Sequence, residues 1–148
     1  VSLRSTPVTC VAFSPDGNYV AIGARDTAVQ VVSRWSGECV YELGGLDGHS
    51  HFVTSVACSP DGRFVLTGSE DRTAKVWSVG RRDCSLTLPD HGCCVRSVAV
   101  APDGLTAATC SNDGIARVWS VEDGTCLLKL GGQGGTATSL ALASSCPP

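Results

Sequence analysis

Residues 48–77 read GHSHFVTSVACSPDGRFVLTGSEDRTAKVW, and this stretch determines how the rest of the chain is interpreted. A Gly-His pair, two apolar segments separated by Pro-Asp-Gly, an aspartate and a Val-Trp pair follow one another in it. A near copy runs from His91 to Trp119. In both copies the histidine precedes the aspartate by 22 residues, and the aspartate precedes the tryptophan by 6. Two intervals that agree without slippage indicate one supersecondary unit repeated in tandem.

The triplet Pro-Asp-Gly occurs three times, at residues 15–17, 60–62 and 102–104. Proline fixes the backbone angle of the first turn position, and glycine accepts the positive φ that a tight turn requires. Each triplet therefore predicts a turn between two antiparallel strands.

Four short strands are predicted in each repeat, and no segment has the apolar period of a helix. First strands are expected at residues 8–14, 53–59 and 95–101, and second strands at 19–24, 64–69 and 105–110. Third strands end at residues 32, 77 and 119, and fourth strands are expected at 39–43, 84–88 and 126–130. Residues 136–143 read as one more first strand, so the predicted fold is all-β with no helix.

The overall charge disfavours several classes of partner. The chain has 148 residues and a formal net charge of -3. A basic stripe, which nucleic acid or an anionic membrane surface would need, is missing from the sequence. No apolar run approaches the roughly 18 residues of a membrane-spanning helix. We therefore expect neither nucleic-acid nor membrane partners.

Nine cysteines are present, without any C-x-x-C pair. Cys39, Cys84 and Cys126 fall at one repeat position, and equivalent positions in neighbouring repeats lie too far apart for a disulfide. We interpret the cysteines as small buried hydrophobic residues of a reducing compartment, the cytoplasm or the nucleus. A metal or redox site at Cys93-Cys94 is the alternative. No metal or other cofactor is expected.

The repeat resembles the WD-repeat (WD40) β-propeller family, in which four-stranded units of about 40–45 residues run from Gly-His to Trp-Asp. The likeness is strongest over residues 48–78 and 90–120, although Ser78 and Ser120 follow the two tryptophans. The first repeat departs further, with Arg4 and Val32 at the His and Trp positions. The resemblance implies a partial β-propeller of three four-stranded antiparallel blades, at approximately 4–47, 48–89 and 90–131. An incomplete fourth unit, with Gln133 at its His position, occupies 132–148 and contributes a first strand.

The resemblance also implies one hydrogen-bonded tetrad in each well-formed blade. The two tetrads would be His49, Thr67, Asp71 and Trp77, and His91, Thr109, Asp113 and Trp119. A His–Asp–hydroxyl set also suits a catalytic triad. However, the set occurs twice at equivalent positions, each time with a tryptophan donor that a triad does not need. We therefore expect structural tetrads and no catalytic residue, and hence no enzyme.

In this family the loops at one face commonly dock partner proteins, so the resemblance implies a non-catalytic protein–protein interaction scaffold or adaptor. The alternative is a regulatory or sensor portion of a larger ATPase, kinase, ubiquitin ligase, vesicle-traffic or signalling protein. The candidate contact residues are Arg25, His51, Phe52, Glu70, Arg72, Asn112 and Ile115.

Three blades cannot close a propeller ring. We therefore expect an excerpt of a longer protein. Closure by a second copy or a partner chain, and a persistent open arc, are the alternatives.

Overall fold

The computed structural model describes residues 5–132 and 134–141, and its strands follow the repeat. The first sheet consists of β1 (Val8–Phe13), β2 (Tyr19–Ala24), β3 (Val29–Ser33) and β4 (Cys39–Leu43). The second consists of β5 (Val53–Cys58), β6 (Phe64–Ser69), β7 (Ala74–Ser78) and β8 (Asp83–Leu88). The third consists of β9 (Val95–Val100), β10 (Thr106–Ser111), β11 (Ile115–Ser120) and β12 (Cys126–Gly131).

Each sheet is an antiparallel meander, because the strands pair in chain order. The prediction of three four-stranded antiparallel units is therefore confirmed, and the sheets are called the first, second and third blades below. The Pro-Asp-Gly turns behave as expected. Gly17, Gly62 and Gly104 have φ values of 70°, 71° and 70°. Their N–H groups donate to the carbonyls of Ser14, Ser59 and Ala101 at 2.9 Å.

The prediction that the chain contains no helix needs one correction. Gly45–Asp47 forms a short 3-10 helix, which lies in the three extra residues of the first repeat. The longer connection uses these residues for one tight turn, with Gly45 at φ 84°. No α-helix occurs in residues 5–132 and 134–141, so these residues form no helix long and apolar enough to cross a membrane.

One extra residue bulges from the first strand of every blade. The ladder between first and second strands shifts register at Thr9, at Thr54 and at Arg96. Thr9 Oγ1 donates to the Val53 carbonyl at 2.6 Å, and Thr54 Oγ1 donates to the Val95 carbonyl at 2.5 Å. The bulges thus turn side chains out of the ladder, and the two threonines connect each blade to the next.

Two hydrophobic clusters lie between the blades, and they use the same repeat positions. The first junction, between the first and second blades, contains Ala21, Val29, Val31, Leu43, Val53, Val56, Val65 and Trp77. The second junction, between the second and third blades, contains Leu66, Ala74, Val76, Leu88, Val95, Val98, Ala107 and Trp119. Each cluster therefore joins one face of a blade to the facing side of the next.

The outer faces of the first and third blades lack this cover among the described residues. Val11 is 60% exposed, whereas the equivalent Val56 and Val98 are 7% and 6% exposed. Leu130 is 56% exposed, whereas the equivalent Leu88 is fully buried. Positions that are core at the junctions are therefore surface at both ends of the arc.

Residues 136–141 occupy the place of a first strand in a fourth unit, without a strand ladder of their own. The Leu140 N–H donates to Ser97 Oγ at 3.2 Å, which repeats the 3.1 Å bond from the Val98 N–H to Ser55 Oγ. The second strand with which this segment would pair is not part of the described chain. The predictions for Arg4, for Gln133 and for residues 142–148 lie outside the described residues.

Leu88 and Leu130 give a matched test of the junction. Leu88→Ala removes a fully buried side chain from the second junction, so we expect the free energy of unfolding to fall by about 2–5 kcal/mol. Leu130→Ala should cost less than about 1 kcal/mol, because that side chain is already exposed. Urea denaturation of both variants checks this, and similar losses would contradict the assigned junctions.

Candidate functional site

The second blade contains a complete hydrogen-bonded tetrad, called a clasp below. The Trp77 Nε1–H donates to Thr67 Oγ1 at 2.9 Å, and that hydroxyl lies 2.7 Å from His49 Nε2. The His49 Nδ1–H donates to Asp71 Oδ2 at 2.8 Å, since a carboxylate can only accept. The four residues therefore connect the segment before β5 to β6, β7 and the turn between them.

The Asp71 carboxylate organises the turn around it. It accepts hydrogen bonds from the Ser50 N–H at 3.1 Å, from the Thr73 N–H at 2.9 Å and from the Thr73 hydroxyl at 2.7 Å. Burial alone would raise the pKa of Asp71, but the hydrogen bonds from His49 and Thr73 outweigh burial and hold that pKa well below its usual range. The clasp thus contains a fixed anion.

The clasp of the third blade differs from the implied tetrad. The Trp119 Nε1–H donates to Thr109 Oγ1 at 2.9 Å, and Thr109 Oγ1 lies 2.7 Å from His91 Nε2. However, the His91 Nδ1–H donates to the Arg72 carbonyl of the second blade at 3.2 Å. His91 therefore does not bond Asp113 as His49 bonds Asp71, and this histidine connects two blades.

Arg117 explains the difference. Its Nη2 lies 2.9 Å from Asp113 Oδ2 and its Nη1 lies 3.3 Å from Oδ1. The buried guanidinium therefore donates to both oxygens of the Asp113 carboxylate. The equivalent residue of the second blade is Lys75, which instead donates to Thr87 at 3.0 Å. Ile115 also replaces Thr73 and cannot donate a side-chain hydrogen bond to the aspartate. Two substitutions on one strand therefore exchange the partner of Asp113.

His91 is neutral at pH 7 because of this arrangement. Burial, followed by the positive charge of Arg117, lowers the pKa of His91 to about 4. For Asp113, burial would raise the pKa, but hydrogen bonds from Arg117 and Ser111 outweigh it and hold the pKa well below its usual range. Arg117 Nε is buried without a hydrogen-bond partner among the described residues.

The clasps lack access for a substrate. His49 and His91 are 4% and 6% exposed, and Thr67 and Thr109 are fully buried. Each hydroxyl accepts a hydrogen bond from a buried tryptophan, and neither is exposed to a substrate in solvent. This geometry supports a structural role for both sets.

Several of the candidate contact residues surround an opening of about 290 Å³, called the mouth below. The mouth is lined by Thr9, Arg25, Phe52, Val53, Thr54, Glu70, Arg96 and Thr138. Phe52 is 39% exposed and packs edge-on against His51, with ring centres 5.5 Å apart. An aromatic surface and charges of both signs therefore meet at one place.

Glu70 is the centre of the charged part of the mouth. One carboxylate oxygen lies 3.7 Å from Arg96 Nη1, and the other lies 3.8 Å from His51 Nδ1. Arg96 Nε also donates to Asn112 Oδ1 at 3.1 Å. The contacts thus join loops of the second and third blades, and the exposed Arg25 lies on the side of the first blade.

The sequence predictions missed Arg96, and four of the seven predicted residues do not line the mouth: His51, Arg72, Asn112 and Ile115. Arg96 is the bulged residue of β9, where the other blades have Thr9 and Thr54. An alignment of the repeats shows this replacement, so the signal was present. The Arg72 carbonyl accepts the hydrogen bond from His91. The half-buried Ile115 lies next to the third clasp, where its N–H donates to Asp113 Oδ1.

The cysteines give no indication of a metal site. Cys10, Cys39, Cys58, Cys84, Cys93, Cys94, Cys110 and Cys126 are all free. Burial, and then the neighbouring Cys93, raises the pKa of the Cys94 thiol, which disfavours the reactive thiolate. Within the described ranges, no three His, Cys, Asp or Glu side chains are placed to hold a metal ion.

A double exchange in the third blade tests the origin of the two clasps. Ile115→Thr/Arg117→Lys gives the third blade the residues that the second blade has at the equivalent positions, Thr73 and Lys75, so we expect His91 to bond Asp113. The pKa of His91 should then rise by about one pH unit or more, because His91 gains an anionic hydrogen-bond partner. NMR titration of the His91 ring measures this. Ile115→Thr alone, which keeps Arg117, is the control, and an unchanged pKa in the double variant would contradict the explanation.

His91 also predicts a pH dependence. Its pKa is about 4 in the folded chain and about 6.5 when unfolded. Its contribution to stability is therefore complete above pH 6.5 and is lost as the pH falls towards 4. We expect a loss of about 1–2 kcal/mol between pH 7 and pH 5 in urea denaturation. His91→Gln should be less stable at pH 7 but lose less over this interval, whereas the exposed His51→Gln should follow the original chain.

Comparisons with known proteins agree with the geometry. The family model described as "WD domain, G-beta repeat" matches residues 2–33, 37–78 and 82–120. The solved structure "Structure of U3-55K" is similar, with a TM-score of 0.86 and 22% identity over 93% of this chain and 43% of that one. "Crystal structure of RRP9 WD40 repeats" has a TM-score of 0.87 and 21% identity over 93% of this chain and 42% of that one.

These structural likenesses show the fold alone, and the chain spans less than half the length of both solved structures. Comparison with curated proteins gives no match. The family matches, in contrast, extend over more than half of the chain, and each of them ends with the third strand of a blade, at residues 33, 78 and 120. Together with the clasps, they show that the chain belongs to the WD40 repeat family, as a partial β-propeller.

Proposed function

We propose that this chain is a non-catalytic protein-interaction scaffold whose partner protein docks at the mouth. One observation carries the proposal: the backbone around the mouth repeats from blade to blade, while the side chains presented there differ. Arg25, Glu70 and Asn112 occupy equivalent positions, and each N–H donates to the carbonyl of the segment before the first strand, at 2.9–3.0 Å. Variable side chains on a fixed framework are typical of a recognition surface.

The proposed partner is a protein segment that carries both apolar and charged side chains. Phe52 offers exposed aromatic surface, and aromatic residues are enriched at protein interfaces. Among the described residues Glu70 makes ion pairs of 3.7 and 3.8 Å, so its carboxylate keeps the capacity for a closer donor. Nucleic acid is disfavoured, since the chain carries a net charge of -3.

A regulatory or sensor portion of a larger enzyme or signalling protein is the second candidate. It is favoured by the coverage of the solved structures, of which the chain spans only 43% and 42%. In that case the mouth would serve the same docking role within a longer protein. A reading frame that carries an ATPase or kinase signature beside these repeats would support this candidate.

The uncovered end faces suggest additional contacts with blade-like sheets. Further blades of a longer protein, a second copy of the chain or a partner chain would each cover Val11 and Leu130 in the way that the junctions cover Val56 and Leu88. Light scattering of the 148-residue chain separates a self-associating form from a monomeric open arc. The free cysteines support a reducing compartment, and we place the chain in the cytoplasm or nucleus.

Site-specific photocrosslinking tests the mouth. A benzophenone amino acid at Phe52 should capture the partner protein in cells, whereas the same group at Leu105, which is 68% exposed beside a Pro-Asp-Gly turn, should not. Arg25→Glu together with Glu70→Lys should reduce capture at Phe52 by at least about tenfold, because reversed charges at an interface cost several kcal/mol. Equal capture at both positions, or capture that survives the reversals, would show that the mouth is the wrong surface.

A further inference from the structure

A second opening lies between the first and second blades, at the end of the Pro-Asp-Gly turns and away from the mouth. This opening, called the cleft below, has a volume of about 310 Å³. Its floor is apolar and buried, with Ala21, Val31 and Val65 only 2–4% exposed. Its remaining lining includes Asp16, Tyr19, Tyr41, Asp61 and Phe64. The cleft is therefore an apolar recess with aromatic walls and an acidic rim.

The repeat explains the cleft, because the second junction has a larger side chain at the decisive position. Ala21 is equivalent to Leu66, which is fully buried in the cluster of the second junction. The first junction thus lacks three carbon atoms at this position. On the facing blade, the first junction has Val65 where the second has Ala107, and this difference adds back only two carbon atoms. A position filled at one junction is therefore open at the other.

Polar groups also distinguish the cleft from the second junction. Tyr19 and Tyr41 stand where the second junction has Phe64 and Leu86. Neither phenol hydroxyl has a hydrogen-bond partner among the described residues, and burial raises the pKa of Tyr41. The cleft thus offers two hydroxyls that can bond a peptide backbone.

The rim carries two carboxylates that remain ionised. Hydrogen bonds from Ser14 and Asn18 lower the pKa of Asp16. Bonds from the Arg63 N–H and the Ser59 hydroxyl lower the pKa of Asp61. Asp61 Oδ1 accepts both of those bonds, and within the described part of the chain the polar contact of Oδ2 is the Arg63 side chain at 3.8 Å. One rim oxygen is therefore available for a closer cation.

Two neighbouring arginines stack on aromatic rings outside the recess itself. The Arg82 guanidinium stacks on the ring of Tyr41, 4.7 Å from its centre, and the Arg34 guanidinium lies 4.9 Å from the centre of Trp35. Neither side chain lines the cleft. The charged groups of the lining are thus Asp16 and Asp61, and the cleft is complementary to a positive partner.

We propose that the cleft is a second docking site, which binds a peptide segment with a leucine-sized aliphatic side chain beside a basic residue. The aliphatic side chain occupies the space above Ala21, where Leu66 fills the second junction. The basic side chain lies along the aromatic wall and pairs with Asp61 and Asp16 at the rim. This site is independent of the mouth, which lies at the other end of the blades.

The test uses NMR titration of the 148-residue chain with two probes, N-acetyl-Leu-Arg-amide and N-acetyl-Leu-Glu-amide. We expect the Leu-Arg probe to shift the amide signals of Ala21, Tyr41 and Val65, with a Kd at least about fivefold lower than that of the Leu-Glu probe. Absence of shifts at the cleft up to about 20 mM probe, or equal affinity for both probes, would overturn the proposal.

Ala21→Leu is the decisive variant, because it places the leucine of the second junction in the cleft and leaves the surface unchanged. We expect it to weaken the Leu-Arg probe at least about tenfold. Asp61→Asn should weaken the Leu-Arg probe about threefold or more and leave the Leu-Glu probe unaffected, whereas Asp103→Asn at the third turn should change neither.

Folding of each variant is checked from the dispersion of its amide spectrum. If Ala21→Leu fails to fold, Asp61→Asn with its Asp103→Asn control decides the test. Undiminished binding in the folded Ala21→Leu variant would overturn the proposal. So would light scattering that shows a dimer of the original chain which Ala21→Leu converts to a monomer, because a second copy would then be the occupant.

Discussion

A four-stranded sheet has two faces that must be covered. In this chain, the apolar face of one blade is buried against the facing side of the next blade. Trp77 and Trp119 lie in the two junctions, 1% and 2% exposed. Burying an indole this deeply costs folding free energy unless its N–H donates a hydrogen bond to an acceptor. Thr67 and Thr109 supply that acceptor, and each hydroxyl also meets a histidine. The apolar packing of the blades therefore depends on a short polar chain beside each tryptophan.

The two polar chains share their buried end and differ at the surface end. In both, the tryptophan and threonine make the same bond, because the junction fixes the two strands that carry them. Farther out, the histidine binds an aspartate of its own blade in one case and a carbonyl of the neighbouring blade in the other. The third blade thereby gains a polar connection to the second, in addition to the apolar one.

The two openings of the arc arise from different departures from the repeat. At the mouth, bulged first strands turn Thr9, Thr54 and Arg96 towards one space, and only the third is charged. At the cleft, the first junction has Ala21 where the second junction has Leu66. The smaller side chain leaves a recess in an otherwise equivalent junction. In both places the backbone follows the repeat, and one side chain differs from the side chains at the equivalent positions of the other blades. The two docking sites that we propose therefore follow from differences between the blades rather than from the features that the blades share.

The sequence by itself determined the features that depend on local chemistry and on the phase of the repeat. Three Pro-Asp-Gly turns and the strand order followed from residue types at constant spacing, and the pairing of each tryptophan with its threonine was implied by the family resemblance. The tertiary structure decided the contacts that cross between strands or blades. The partner of Asp113 depended on the reach of Arg117 along its strand, and the partner of His91 on the position of the Arg72 carbonyl in another blade. Spacing along one chain specifies neither, because such contacts depend on how two blades are placed against each other.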